Sequence, residues 1–156
     1  MRSYDRALPI ALLRAREATL RPFRAHLDAH GLTVQQWRVI RALAEGAALT
    51  PTELAERCVL LPPSLSRILR AMTDRGLVEP AADQDARRRR VRLTTEGRAL
   101  YDSAAVQSRA VYDRIETVFG AGRMETLLDL LVDLQDVVEA DPVLAKNGID
   151  GGDDIT

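Results

Sequence analysis

Apolar residues recur along this chain mainly at the helical period. Over residues 8–30, Leu8, Leu12, Ala15, Thr19, Phe23 and Leu27 fall at spacings near 3.6, which predicts an amphipathic helix stopped by Gly31. Pro22 inside this run predicts a kink. Thr33-Val34-Gln35-Gln36 predicts a second start, because the Thr33 hydroxyl and the Gln36 amide can satisfy reciprocal N–H groups as a capping box. Trp37, Ile40 and Leu43 or Ala44 then face inward, and Gly46 ends the helix. Thr50-Pro51-Thr52-Glu53 repeats the signal with proline at the first helical position, opening a short third helix at about residues 51–57 with Leu54 and Ala55 inward.

A tight connection containing Pro62 and Pro63 is expected to lead into a fourth helix. There Leu65, Ile68, Leu69 and Met72 form an apolar stripe, and Gly76 ends it. The opposite face carries Ser64, Ser66, Arg67, Arg70 and Ala71, with no acid before Asp74. The helical period then stops. Leu77-Val78-Glu79 reads as a short strand, residues 83–86 as a turn, and residues 89–93 as a returning strand, with four consecutive arginines, Arg87 to Arg90, where turn and strand meet. Thr94 caps a long fifth helix to about Val118, and Phe119-Gly120 breaks it. A sixth, at about residues 121–140, puts Met124, Leu127, Leu128, Leu131, Leu134 and Val138 on one side and Asp129, Asp133 and Asp136 on others. Residues 141–156 are acidic and Gly-containing and are expected to be disordered.

Composition adds constraints. The 156 residues are 46% hydrophobic but 4% aromatic, so the core must be aliphatic. No apolar run approaches the ~18 residues that span a bilayer. The charged N-terminal stretch does not read as a signal peptide, and a single cysteine, Cys58, excludes an intramolecular disulfide; both fit a cytoplasmic protein. The net charge of −1 conceals an asymmetry: residues 1–100 carry 18 basic and 11 acidic side chains, and residues 101–156 carry 4 and 12. A basic region joined to an acidic one points to a polyanion partner.

Two short helices followed by an arginine-bearing hairpin form the layout of a winged helix-turn-helix. The fold class expected is mainly α (α+β), with that DNA-binding lobe over about residues 33–94 and helical regions at about 8–30 and 97–140. The fourth helix would enter the major groove of double-stranded DNA, seated by its apolar stripe. Arg67 and Arg70 reach base edges, while Ser64 and Ser66 offer donors to phosphates. Thr50, Thr52 and Pro63 stand at the neighbouring helix starts, and Arg87, Arg88, Arg89 and Arg90 project from the hairpin toward the minor groove.

The hairpin and the start of the fifth helix resemble the MarR family. Asp85 and Arg87 match its Asp-x-Arg, and Leu93, Thr94 and Gly97 match its Leu-Thr-x-x-Gly. The resemblance covers about residues 8–139 and implies an obligate homodimer built from the first, fifth and sixth helices, so that residues 1–140 act as one MarR-type winged-helix domain. Ala71 departs from the pattern, since many members carry arginine there. The front half is similar to the HpaR-type repressors of homoprotocatechuate and 4-hydroxyphenylacetate degradation, through Leu13-x-Ala15-Arg16-Glu17, Phe23-Arg24 and Leu32-Thr33-x-Gln35-Gln36-Trp37-Arg38. That resemblance implies a small aromatic acid as effector.

Arg16, Phe23, Trp37 and Arg38 are the candidate effector-binding residues, because a carboxylate in an apolar cleft needs a guanidinium fork. The competing readings are structural: Trp37 as a core anchor, and Arg16 and Arg38 as surface ion pairs, for instance with Glu17. His26 and His30 sit four apart, but no third ligand is spaced to complete a metal site, so no metal and no cofactor are expected. Cys58 reads as a small buried residue, with oxidant sensing as the alternative. No nucleophile–base pair or phosphate loop is visible, so an enzyme is not expected. The sequence therefore reads as a dimeric repressor of an aromatic-catabolic operon, released by an aromatic effector from a pseudo-palindromic operator; the remaining alternative is a ligand-independent DNA-binding protein.

Overall fold

Capping chemistry places the helices. The computed structural model describes residues 3–46, 48–81 and 89–146. After a 3-10 turn at Tyr4–Arg6 come α1 (Leu8–Ala29), α2 (Val34–Ala44), α3 (Pro51–Cys58), α4 (Pro62–Asp74), β1 (Val78–Pro80), β2 (Val91–Leu93), α5 (Thr95–Phe119), α6 (Ala121–Ala140) and α7 (Pro142–Lys146). Both predicted capping boxes form. Thr33 Oγ1 accepts from Gln36 N at 3.1 Å while Gln36 Oε1 accepts from Thr33 N at 3.0 Å, and Glu53 Oε2 takes the Thr50 N–H at 2.7 Å. α1 continues through Pro22, whose missing N–H leaves the Ala18 carbonyl without its in-helix donor.

Pro62 and Pro63 lie inside the first turn of α4, not in the connection before it. The reason is that first-turn N–H groups have no helical acceptor, so proline loses nothing there and its fixed φ suits the helix. The α3–α4 connection shrinks accordingly. Val59 ends α3 in the left-handed region at φ 51°, and Leu60 N donates back to Ala55 O at 2.9 Å.

The first strand lies one residue later than predicted, and the second is shorter, starting at Val91 instead of Arg89. β1 and β2 pair antiparallel with Val78 opposite Leu93 and Glu79 opposite Arg92. Leu49 adds a bridge to Val91 that the sequence pattern does not signal, because a single residue has no period. The turn at 83–86, together with Arg87 and Arg88, lies outside the described residues. α7 replaces expected disorder over residues 142–146: Asp141 Oδ1 accepts from Val143 N and Leu144 N at 2.8 and 3.2 Å, and Pro142 takes the first helical position.

The chain divides into two compact units, residues 1–111 and 112–156, with the division inside α5. In the first, α2 is central and packs against α1, α3, α4 and β2. Leu27, Val39, Ile40, Leu54, Leu65 and Met72 are fully buried. Of the predicted α1 stripe only Phe23 and Leu27 are buried; Leu8 and Leu12 are exposed. In the second unit α6 buries no residue, and Leu127, Leu128, Leu131 and Val138 are exposed in the single chain.

Candidate nucleic-acid interface and effector pocket

The helix-turn-helix is α3, the Val59 turn and α4. Leu65 and Met72 anchor α4, leaving Ser66, Arg67, Arg70 and Ala71 exposed on its far side. Neither Arg67 nor Arg70 makes an ion pair among the described residues, so both guanidiniums are available to a ligand. The phosphate donors are fewer than the sequence implies. Pro62 and Pro63 carry no N–H, so Ser64 alone offers one in the first three positions of α4. Ser66 Oγ donates to its own helix at Pro62 O, 3.0 Å away. Thr50 is occupied by its cap, whereas Thr52 and Pro63 are exposed. A groove of about 280 Å³ between α3 and α4 is lined by Thr52, Ala55, Glu56, Leu60, Leu65 and Ser66.

The wing arginines separate. Arg89 is exposed, whereas Arg90 is half-buried and donates to Ala48 O at 3.0 Å, tying the hairpin base to the segment before α3. Arg92 pairs with Glu79 across the strands at 2.8 Å. Three more arginines serve helix C-termini: Arg75 donates to Gly31 O after α1 at 2.7 Å, Arg98 to Ala44 O of α2 at 2.8 Å, and Arg38 to Cys58 O of α3 at 2.7 Å. Guanidiniums suit these ends because the last carbonyls are unpaired and carry the negative end of the helix dipole. Part of the basic excess in residues 1–100 is therefore internal scaffolding. Only three-dimensional placement could reveal this, since each partner lies 20 to 54 residues away.

A cavity of about 280 Å³ lies between α1 and α2. Arg16, Arg24 and Arg38 converge on it with Asp28 and Gln35, over an apolar floor that includes Leu20, Leu32 and Val34. The sequence pattern pairs Arg16 with Arg38 but misses Arg24, although Arg24 stands two helical turns from Glu17. That carboxylate holds Arg16 Nη1 at 2.9 Å and Arg24 Nη2 at 2.8 Å. The hydrogen bond from Arg24 keeps the Glu17 carboxyl below its ordinary pKa. Phe23 and Trp37 do not line this cavity. Trp37 is buried and stacks on Tyr101 with centroids 5.6 Å apart, while Phe23 packs edge-on against His26. The Arg98 guanidinium lies over the Tyr101 ring, 5.4 Å from its centroid. Arg41, one turn past Trp37 on α2, pairs with Glu45 at 3.6 Å.

His26 of α1 and His30, which caps that helix, reach α5 through Ser108 and Ser103, each at 3.2 Å. Among the described residues no group of three or more His, Cys, Asp or Glu is placed to hold a metal. Burial pushes the Cys58 thiol up and disfavours its thiolate. No helix among the described residues is long and apolar enough to cross a membrane.

Comparison with known proteins adds to this geometry. A family model described as MarR family matches residues 30–89. The homoprotocatechuate degradative operon repressor of Escherichia coli is 44% identical over 128 residues, covering 80% of this chain and 85% of that protein. Among solved structures, ligand-free NadR superposes with a TM-score of 0.79 at 38% identity, over 86% of this chain and 97% of that one. NadR in complex with 4-hydroxyphenylacetate gives 0.74 at 39% identity, over 86% and 96%. The transcriptional repressor CouR bound to a 23-mer DNA duplex gives 0.76 at 25% identity, over 86% and 98%.

Proposed function

The chain belongs to the MarR family, and from that premise we propose that it is a dimeric, sequence-specific DNA-binding repressor released by a small aromatic acid. The observation that carries the DNA reading is α4: an amphipathic helix seated by Leu65 and Met72, presenting Arg67 and Arg70 exposed and without an ion pair among the described residues. A guanidinium fork held this way can bond the guanine edge in a major groove, and Ser64 N–H and Thr52 stand at the helix starts where phosphates pass. Arg87, Arg88 and Arg89 are assigned to the wing contact. Arg90 contributes by fixing the hairpin base.

The exposed leucines and valines of α6 and the exposed Leu8 and Leu12 of α1 support dimerisation through the terminal helices, within one functional domain over residues 1–140. A two-fold dimer presents two copies of α4 to successive major grooves of a pseudo-palindrome. Such a protein acts where the DNA is, in the cytoplasm, and its role is regulatory rather than catalytic.

The effector reading rests on the α1–α2 cavity. Three guanidiniums above a leucine and valine floor suit a ligand with one carboxylate and one apolar ring. The relatives point to the same chemistry, since NadR binds 4-hydroxyphenylacetate and the repressor from Escherichia coli is named for homoprotocatechuate degradation. Calorimetric titration with 4-hydroxyphenylacetate tests the site. Saturable binding that Arg16→Ala weakens about tenfold or more supports the cavity. Unchanged binding in Arg16→Ala with loss in Arg41→Ala would move the ligand to the Trp37–Tyr101 stack, and no binding at all would leave a ligand-independent regulator.

A further inference from the structure

The start of α4 breaks the rule that the two helices before it obey. Thr33 and Thr50 close capping boxes on α2 and α3, whereas the residue that opens α4 is Leu61, whose side chain caps nothing. Pro62 and Pro63 follow, and neither has an N–H to offer. The side chains that lead into the recognition helix therefore present carbon. Leu60 and Leu65 hold the two positions of a hydrophobic staple, and both line the groove between α3 and α4. Leu61 does not line that groove. Its backbone is fixed, since its carbonyl accepts from Leu65 N at 3.0 Å, yet the residue is 66% exposed. An apolar side chain held in water, where a polar one would stabilise the helix, is a local misfit that packing within the chain does not explain.

The surface that continues from Leu61 indicates its occupant. Pro63, Arg67 and Arg70 are exposed at helical spacings of four and three, so they share one side of α4. That side is apolar at its start and basic in its middle. On the base edges of a major groove, guanine carries the acceptors that suit arginine, and thymine carries a methyl group that suits an apolar side chain. We propose that Leu61 reads a thymine methyl in each half-site, flanking the base pairs that Arg67 and Arg70 contact. The proposal rests on the reading of α4 as the helix that enters the major groove. The ring of Pro63 continues the same apolar surface. Water leaves both the leucine and the methyl when they meet, so thymine is favoured by burial rather than by hydrogen bonding.

The test uses a duplex recovered from a random pool by the full chain. Each thymine of one half-site is replaced in turn by deoxyuridine, which exchanges the methyl for hydrogen and leaves the pairing edge intact. Affinities are read by fluorescence anisotropy at one fixed salt concentration. In wild type, one of these replacements is expected to weaken binding about fourfold, the effect of one buried methyl. In Leu61→Ser the same replacement should change nothing, and in Leu61→Met, which keeps the apolar surface, the fourfold ratio should persist. Leu61→Ser gains a hydroxyl that can cap the Ser64 N–H, so it should melt no lower than wild type. The ratio compares two duplexes on one protein and is independent of that protein's overall affinity. A ratio near one for every thymine in wild type, a half-site without thymine, or an undiminished ratio in Leu61→Ser overturns the proposal. Recovery of no shared sequence would remove the reading of α4 as a base-reading helix and the proposal with it, an outcome seen before any uracil is introduced.

Discussion

Gly97→Ala offers a sharp test of how the wing is held to the domain. A Cβ built on Gly97 lies 2.0 Å from the Leu77 carbonyl oxygen and 2.9 Å from its carbon, both rigid backbone atoms. Ordinary contact would require α5 to retreat by roughly 1.5 Å. The bonds that hold it there leave little room. Thr94 Oγ1 donates to Gly76 O at 2.6 Å and accepts from Gly97 N at 3.0 Å, while Thr94 N donates to Leu77 O at 3.1 Å. Losing the Thr94 cap costs about 1 kcal/mol. Overpacking against backbone adds about 1–3 kcal/mol. A total near 3 kcal/mol corresponds to a melting temperature lower by about 6–12 °C for a chain of this length. Because Leu77 leads from α4 into β1, the same shift should misplace the wing relative to α4 and weaken operator binding. Thermal melts at one fixed protomer concentration provide the assay, with Gly122→Ala as control, since nothing lies within 4 Å of a Cβ there. Equal melting temperatures for Gly97→Ala and wild type would refute the packing argument.

Three other expectations can be checked with purified protein. Arg67→Ala and Arg70→Ala should each weaken operator binding by about 1–3 kcal/mol without lowering the melting temperature, read by fluorescence anisotropy at fixed salt; a loss equal on operator and random DNA would indicate phosphate rather than base contact. Cys58 should react with an aromatic disulfide reagent far more slowly in the native protein than in denaturant, because burial raises its pKa and shields it, and peroxide should leave DNA binding unchanged. His26 has a folded pKa lowered by burial and by His30, so the unfolded chain takes up a proton more readily. Stability should therefore fall as pH drops below the ordinary histidine value of about 6.5 and level off below the depressed folded value. His26→Gln should flatten the melting temperature between about pH 5.5 and 7.5.

What the sequence revealed and what it hid divide along the range of the interactions. The caps at Thr33 and Thr50, the stripe of α4 and the close of the hairpin at Thr94 are local, because donor, acceptor and period lie within one or two turns. Gly97 stands out in the sequence as part of a motif, but its reason, the carbonyl of Leu77, requires the fold. The arginines are the main blind spot. Arg90 reads as DNA-facing and Arg38 as effector-facing, while Arg75 and Arg98 only swell the basic excess, yet each of the four donates to a distant backbone carbonyl. The effector residues divide for a related reason. Arg16 and Arg38 meet at one cavity, whereas Phe23 and Trp37 turn to other faces of the same helices, a distinction of about 100° per residue that a list of apolar and basic positions blurs.

Selection of random duplex DNA by the purified full chain tests the central claim most directly. A dimeric winged-helix repressor predicts enrichment of a pseudo-palindrome with half-sites about one helical turn apart. Two protomers should bind each duplex, and 4-hydroxyphenylacetate should release it. Recovery of duplexes without a shared sequence, or of a single half-site bound by one protomer, would contradict it.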